Sequence, residues 1–312
     1  MHTTSLRTSN RQRLKLLRRA SLAEATQKAY ASDVRHYQKH HGVLPAKPNQ
    51  VALYLAKWSQ THSCATLVRR MAALDRWHRN RGFASPVKTT VVQEAMRGIK
   101  RLYGGQQRQR QVRAITAKDL AKVVKAARVT QEDANPQASK ARALRDVALV
   151  LLGFAAALRR SELVALEVGD LQWERAGLQL HIRRSKTDQF GQGQVVHVKR
   201  AKNGALCPIA AIRAWLSHAE IHTGSVFRSI DRLGRIAASA LTPQSVALVL
   251  KRLATQALGE EAAADISGHS LRAGYCTDAA RRGLSVFAIR QVTRHQSVET
   301  LGRYVRGNLA IA

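Results

Sequence analysis

The chain loses its apolar period across "YGGQQRQRQVRA", residues 103–114. Glycine, glutamine and arginine follow one another there with no apolar residue at helical or strand spacing, so the stretch offers no face to a core. A chain interrupted in this way buries one core on each side, and 312 residues are enough for both. The organisation expected is a basic N-terminal arm over 1–20, a helical domain over 21–103, a linker over 104–115 and a second, mixed domain over 116–312.

Before the linker the pattern is helical throughout. Ser21 and Glu24 have the spacing of a capping box opening "SLAEATQKAYASDVRHYQKHH", which Gly42 closes. A second helix follows Pro48. In a third, "ATLVRRMAALDRWHRNRG", Leu67, Met71, Leu74 and His78 share one face, Arg69, Arg70, Arg76, Arg79 and Arg81 fall largely elsewhere, and Gly82 ends it. A fourth runs through "TTVVQEAMRGIKRLY". Beyond the linker, Thr116 and Asp119 restart helix, and "ALRDVALVLLGFAAALRRSELVAL" reads as one buried helix with arginines near its end. "GLQLHIRRSK" then alternates, with Leu178, Leu180 and Ile182 on one face and Gln179, His181 and Arg183 on the other. With the turn-rich "TDQFGQGQ" and the returning "VVHVK" it forms a small antiparallel sheet. After the sheet the chain reads as helical to its end, with Thr242 and Pro243 opening one helix and Gly283 closing another.

Charge narrows the partners. Lys and Arg number 52 against 20 Asp and Glu, a formal net charge of +32. Self-repulsion on that scale opposes compaction and is tolerable mainly beside a polyanion, of which nucleic acid is the first candidate. Arg69, Arg70, Arg76 and Arg79 of the third helix and Arg108, Arg110 and Arg113 of the linker are the candidate phosphate contacts, and the basic arm is expected to be flexible and to contact DNA. A solvated charged face is the ordinary reading of any one such stripe. The longest apolar run, Val147 to Leu158, falls short of the ~20 residues of a membrane-spanning helix, so no membrane partner is expected. Cys64, Cys207 and Cys276 are scattered and unpaired in spacing, which fits a reducing cytosol and offers no zinc site. His36 and His40 stand four apart but are crowded by Arg35, Lys39 and His41, and read as solvated surface histidines. No phosphate loop is present. No metal and no cofactor are expected.

The candidate chemistry is scattered along the second half. "HSLR" puts His269 and Arg272 three apart, on one face of a helix. "LRRSEL" sets Arg159 or Arg160 at the end of the most apolar helix, where an arginine needs a ligand or an acidic partner, and Glu162 is near enough to be that partner. "RRSKT" places Lys186 where a strand runs into a loop. Each alone has an ordinary reading: a chance pair, a structural ion pair, a solvated lysine.

The ordered set of Arg159, Lys186, His269, Arg272, His295 and Tyr304 resembles the tyrosine recombinase (phage integrase) family, whose relatives include the type IB topoisomerases. The resemblance rests on "LRRSEL", "SKT" in a strand-turn, "GHSLR" and "RHQSVETLGRY", in the family's order. "LCPIAAIRAWL", "VFRSIDRLGRI" and the helical first half extend it to the two-domain, Cre-like branch and to all but the first twenty residues. It implies a mainly α fold with a small antiparallel β-sheet: a helical SAM-like core-binding domain plus an α+β tyrosine-recombinase catalytic domain. It implies Tyr304 as nucleophile, Arg159 and Arg272 clamping the non-bridging phosphate oxygens, and His269 as base. His295 would hydrogen-bond the scissile phosphate, Lys186 would protonate the leaving 5′-hydroxyl, and Glu162 would support the set. A phenol of pKa ~10 loses its proton at pH 7 at a cost of roughly 4 kcal/mol, which the base and the positive pocket must offset.

The activity so implied is site-specific recombination of duplex DNA through a 3′-phosphotyrosyl intermediate, without ATP or metal, by a homotetramer on two DNA sites. The enzyme would be cytoplasmic and nucleoid-associated, with accessory proteins left open. A nicking-resealing enzyme of the type IB topoisomerase kind and a non-catalytic DNA-binding protein on the same scaffold are the alternatives. Three departures stand out. Arg294 occupies the place before the second histidine where the family often has glycine, Arg160 adjoins Arg159, and the tail after Tyr304 is only "VRGNLAIA", so exchange of a C-terminal helix between protomers is expected to be reduced or to use another segment. No small domain precedes residue 21, which favours a Cre- or Xer-like enzyme over an arm-site-binding integrase of the lambda type.

Overall fold

The computed structural model describes residues 9–105, 112–129, 135–183, 193–295 and 301–302. The chain divides into two compact units, Met1–Gln109 and Arg110–Ala312.

The first unit is helical: α1 (Asn10–Ala20), α2 (Glu24–Lys39), α3 (Pro48–Trp58), α4 (Cys64–Asn80) and α5 (Thr90–Tyr103). Helix α2 packs on α4 and α3 on α5, around Tyr37, Val51, Leu55, Leu67, Leu74, Val92 and Met96. Residues 10–20, expected as a flexible arm, are helical. The Ser21–Glu24 capping box does not form: α2 starts at Glu24 behind Ala23, while the Ser21 hydroxyl donates to Arg18 O at 2.7 Å. An orphan carbonyl at the end of α1 competes for the same side chain, and it prevails. At the far end of α2, His41 takes the left-handed conformation and Gly42 follows, its N–H on Tyr37 O at 2.9 Å. A Cβ at Gly42 would lie 2.1 Å from the Tyr37 ring, so only glycine fits there.

His78 is fully buried, as its apolar face requires. Its Nδ1 donates to Leu74 O at 2.8 Å and its Nε2 accepts from Ala46 N–H at 2.9 Å, which satisfies both ring nitrogens. His36 and His40 are partly exposed, and their rings also pack against neighbours. His36 bonds the Tyr54 hydroxyl at 2.9 Å and lies in a ring cluster with His40, Trp58 and His62. Burial and then the Arg70 charge push the His36 pKa down to about 4. Among the described residues no group of His, Cys, Asp and Glu is arranged to hold a metal ion.

The second unit opens with α6 (Ala117–Arg128), capped by Thr116 and Asp119, and α7 (Pro136–Ala155). Then come α8 (Arg160–Ala165), β1 (Leu171–Trp173), β2 (Gly177–Ile182), β3 (Gln194–Lys199) and α9 (Pro208–His218). A hairpin follows, β4 (Arg228–Ile230) with β5 (Ile236–Ala240), then α10 (Pro243–Leu258), α11 (Glu260–Ala263), α12 (Ser270–Arg281) and α13 (Val286–Thr293). The three-stranded sheet has the order β1-β2-β3, antiparallel, with Leu178 opposite Val198 and Leu180 opposite Val196. These side chains join α7, α9 and α10 in one core that includes Leu149, Leu152, Ile212, Trp215, Phe227 and Leu250. No helix among the described residues is long and apolar enough to cross a membrane.

Two readings of the second half need correction. The stretch after β3 is not wholly helical, because β4 and β5 interrupt it. And "ALRDVALVLLGFAAALRRSELVAL" is two helices, broken after Ala155. The break is a Schellman turn: Ala157 N–H donates to Phe154 O and Leu158 N–H to Gly153 O, at 3.1 and 3.0 Å, with Ala157 at φ 48. An alanine stands where glycine is usual, so the stop leaves no mark on the apolar pattern.

Candidate active site

The broken helix places the chemistry. Arg159 becomes the N-cap residue of α8, and Glu162, three residues on, turns back to it. Glu162 Oε2 accepts from the Arg159 backbone N–H at 2.9 Å and Oε1 from Arg159 Nη1 at 2.5 Å. The Arg160 side chain goes the other way and packs on Gly268, where a Cβ would meet its Cδ at 2.7 Å.

Arg272, in the first turn of α12, is buried and donates through Nη1 to Ala157 O at 2.8 Å, a carbonyl of the Schellman turn. Its Nη2 is buried with no hydrogen-bond partner among the described residues. Burial, and then the Arg159 charge, lower its pKa to about 10, so it stays a cation at neutral pH.

His295 is buried just past α13. Thr293 Oγ1 spends its hydrogen on Ile289 O at 2.7 Å, so at 2.8 Å it accepts from His295 Nδ1–H. Burial first, then the charges of Arg272, Arg159 and Arg294, push the imidazole down to about 4. His295 is therefore neutral, with its proton on Nδ1 and a lone pair on Nε2. His269 is the exposed N-cap of α12, outside the regular helix, and its backbone N–H donates to Ser267 Oγ at 3.2 Å. His269 thus stands at the surface and Arg272 inside.

The residue that sequence reasoning undervalued is Arg294. It is the left-handed C-cap of α13, at φ 57, and its side chain is buried. Nη2 lies 2.8 Å from Glu162 Oε2, and Nη1 donates to Val292 O at 2.8 Å and Ala156 O at 3.3 Å. Burial pushes the Glu162 carboxyl up, but the Arg294 charge and then the Arg159 bonds more than offset it and leave it below the usual carboxylate range. A signal was available: the family's glycine at this place already implies a positive φ.

Lys186 and Tyr304 lie outside the described residues, as do Arg108 and Arg110. Arg183, at the root of the segment that carries Lys186, bonds Asp170 at 2.6 Å and Glu167 at 2.8 Å. Leu301, three residues before Tyr304, is fully buried with Cys276, Ala279 and Ile289.

The candidate DNA contacts fare unevenly. Arg69 grips Asp33 through two bonds of 2.8 and 3.0 Å, and Arg70 is buried, its Nε 3.7 Å from the same carboxylate. Arg70 is thus part of the interior and not of a phosphate-facing surface. Arg76 donates to Arg18 O at 3.1 Å, and Arg79 pairs with Asp75. Arg113 ties into the second unit, its backbone N–H on Asp265 O at 3.0 Å and its Nη1 on Ala262 O at 2.9 Å. A cavity of about 740 Å³ lies in the first unit, between α1, α2 and α4; its described walls include Leu14, Tyr30, Val34 and Trp77, and Arg76 is the candidate DNA contact among them.

Residues 113–310 match the phage integrase family. Over 316 aligned positions the chain is 34% identical to an integrase/recombinase xerD homolog of Selenomonas ruminantium, covering 97% of this chain and 89% of that protein. Among solved structures, the Tn1549 transposon integrase in complex with transposon right end DNA superposes with a TM-score of 0.60 at 13% identity, over 93% of this chain and 92% of that one. A lambda integrase dimer bound to a COC′ core site gives 0.59 at 17% identity, over 94% and 75%. The XerH site-specific recombinase bound to palindromic difH substrate, in its post-cleavage complex, gives 0.58 at 15%, over 90% and 76%. The chain belongs to the phage integrase family: it is a tyrosine recombinase, and within that class a site-specific recombinase similar to XerD.

Proposed function

We propose that this recombinase cleaves and rejoins duplex DNA through a covalent 3′-phosphotyrosyl intermediate on Tyr304. The Tyr304 oxygen attacks the scissile phosphorus and the bond to the 5′-oxygen breaks. The phenolic proton passes to His269, and Lys186 gives a proton to the departing 5′-oxygen, which leaves as a hydroxyl. Arg159 and Arg272 take the non-bridging oxygens, where charge builds in the transition state. A second strand's 5′-hydroxyl reverses the step without ATP, because the tyrosyl ester keeps the energy of the bond that was broken. Four protomers on two DNA sites would exchange strands, with the helical first unit and the catalytic unit both on the duplex and the enzyme working in the cytoplasm.

The observation that carries this reading is the composition of the buried pocket. Three guanidiniums, of Arg159, Arg272 and Arg294, face one carboxylate and a neutral imidazole. Such a surplus is costly without an anion, and the spare Nη2 of Arg272 suits a phosphate oxygen. His295 gains a proton more readily once a phosphate is bound, and would then donate from Nε2. The relatives solved on DNA support the substrate class.

Covalent capture tests the proposal. Wild type and Tyr304→Phe are incubated with fragmented DNA of the source genome, denatured in detergent, and the DNA that stays attached is sequenced. Adducts in wild type alone, gathered at a short inverted repeat, are the expected result. Adducts without sequence preference would point to nicking and resealing of the topoisomerase kind, and none at all, despite binding, to a protein that only binds.

A further inference from the structure

Arg294 has no place in the chemistry above, yet it is among the most constrained side chains in the pocket. A large side chain in the left-handed region is disfavoured, because its Cβ crowds the following carbonyl. The position is held by what the guanidinium does: it spans from the end of α13 to the turn between α7 and α8, reaching Ala156 O and Glu162. Arg272 reaches the same turn through Ala157 O. The residues that carry His295, Arg272 and Arg159 are therefore fastened to one short piece of backbone.

Glu162 is divided between two arginines. Oε1 takes the Arg159 guanidinium, while Oε2 takes Arg294 and the Arg159 backbone N–H. Without Arg294, the buried carboxylate would fall to Arg159 alone. An incoming phosphate would then have to strip Arg159 from it and leave an unpaired negative charge beside a second one. With Arg294 in place, Arg159 exchanges one carboxylate oxygen for a phosphate oxygen while Glu162 stays neutralised.

We propose that Arg294 is a positioning residue for strand cleavage, which holds the charge of Glu162 so that Arg159 is free to clamp the scissile phosphate and which sets His295 from the adjoining left-handed turn. The proposal rests on the reading of Arg159 and Arg272 as the phosphate clamp. Arg294 touches neither substrate nor nucleophile in it.

The test uses the full chain, with Arg294→Gly and Arg294→Lys beside wild type, and two readouts. One is the rate of covalent adduct formation in a single turnover, on the DNA fragment recovered by capture, measured together with the affinity for that fragment. The other is the titration of His295 by NMR, with His36 in the first unit as the internal control. Glycine suits the left-handed backbone, so Arg294→Gly keeps the turn and removes the guanidinium. The expected result is near-wild-type DNA affinity, adduct formation roughly 10- to 100-fold slower, a His295 pKa moved upward and an unchanged His36. Arg294→Lys, which keeps the charge, recovers part of the rate.

Wild-type cleavage by Arg294→Gly overturns the proposal. So does a fall in rate and affinity together with no movement of His295, since that pattern is loss of structure. If wild type forms no adduct, the cleavage reading is what fails; the His295 titration then decides separately whether Arg294 controls the pocket.

Discussion

Each unit of this protein buries a carboxylate between arginines and sets beside it a histidine depressed to about 4. In the first unit these are Asp33, Arg69, Arg70 and His36. In the second they are Glu162, Arg159, Arg294 and His295, with Arg272 close by. The ingredients match, so a buried ion pair and a shifted histidine do not by themselves mark a reactive site. Position in the fold separates the two. Asp33, Arg69 and Arg70 lie inside α2 and α4, where main-chain groups are already paired within the helix, and the cluster simply cross-links two helices. Glu162 and its partners lie at element ends: the N-cap and first turn of α8, the first turn of α12 and the C-cap of α13. Helix ends leave carbonyls and N–H groups unpaired. Those of Arg159, Ala156 and Ala157 hold the side chains here, whereas unbonded guanidinium nitrogens occur in both clusters, on Arg70 as on Arg272, and do not separate them.

The largest effect that would break this comparison is on cleavage. Arg272→Ala is expected to slow adduct formation by roughly 10²–10³-fold with DNA affinity little changed, measured in single turnovers on the captured fragment. A large effect of Arg69→Ala on the rate constant of cleavage, at saturating DNA, would erase the distinction between the clusters.

Next comes stability. Asp33→Ala leaves Arg70 buried without its counter-charge and is expected to cost about 3–5 kcal/mol, read from urea midpoints. Replacing Arg70 by Leu in the same chain should return much of that loss. Glu162→Ala should cost a similar amount, but Arg159→Leu is not expected to restore its cleavage, because in the proposed mechanism Arg159 also clamps the phosphate.

A smaller effect lies in the pH dependence. His295 is held near 4 in the folded chain against 6.5 unfolded. The unfolded chain therefore binds the extra proton between those values, and stability is full above about pH 6.5 and falls as pH drops toward 4, by at most about 3 kcal/mol from this group. His36 acts in the same direction. Urea titrations from pH 4 to 7 should show a shallower slope in His295→Asn, and bound DNA should flatten the wild-type slope while leaving the His36 contribution in place.

The smallest effects are at the strained turns. Ala157→Gly, at φ 48, and His41→Gly, at φ 64, are each expected to stabilise by about 0.5–1 kcal/mol in thermal melts. Only the first should alter cleavage, since Ala157 O holds Arg272.

Much of the fold is legible residue by residue. Leu67, Met71 and Leu74 repeat at helical spacing, and Leu178, Leu180 and Ile182 alternate, so their buried faces follow directly from periodicity. Thr116, Thr242 and Pro243 mark helix starts for local reasons. What fails is where a local signal has a distant competitor or no signal exists. Ser21 caps α1 instead of α2, Ala157 turns the chain without a glycine, and the β4–β5 hairpin is too short to show alternation. In the site, the presence of Arg159, Glu162, Arg272 and His295 is readable from motif order, but not the role of Arg294, nor the burial of Arg70.

The sequence by itself determined two cores, the elements around them, the surplus of positive charge and the order of the motifs, because each depends on neighbours along the chain. Only the tertiary structure decided which arginines are interior struts between helices and which gather at helix ends around Glu162. That choice depends on which carboxylate or carbonyl arrives from another element, as Asp33 does for Arg70 and Glu162 for Arg294. The energy of a buried guanidinium is set by those partners in space and not by its place in the sequence.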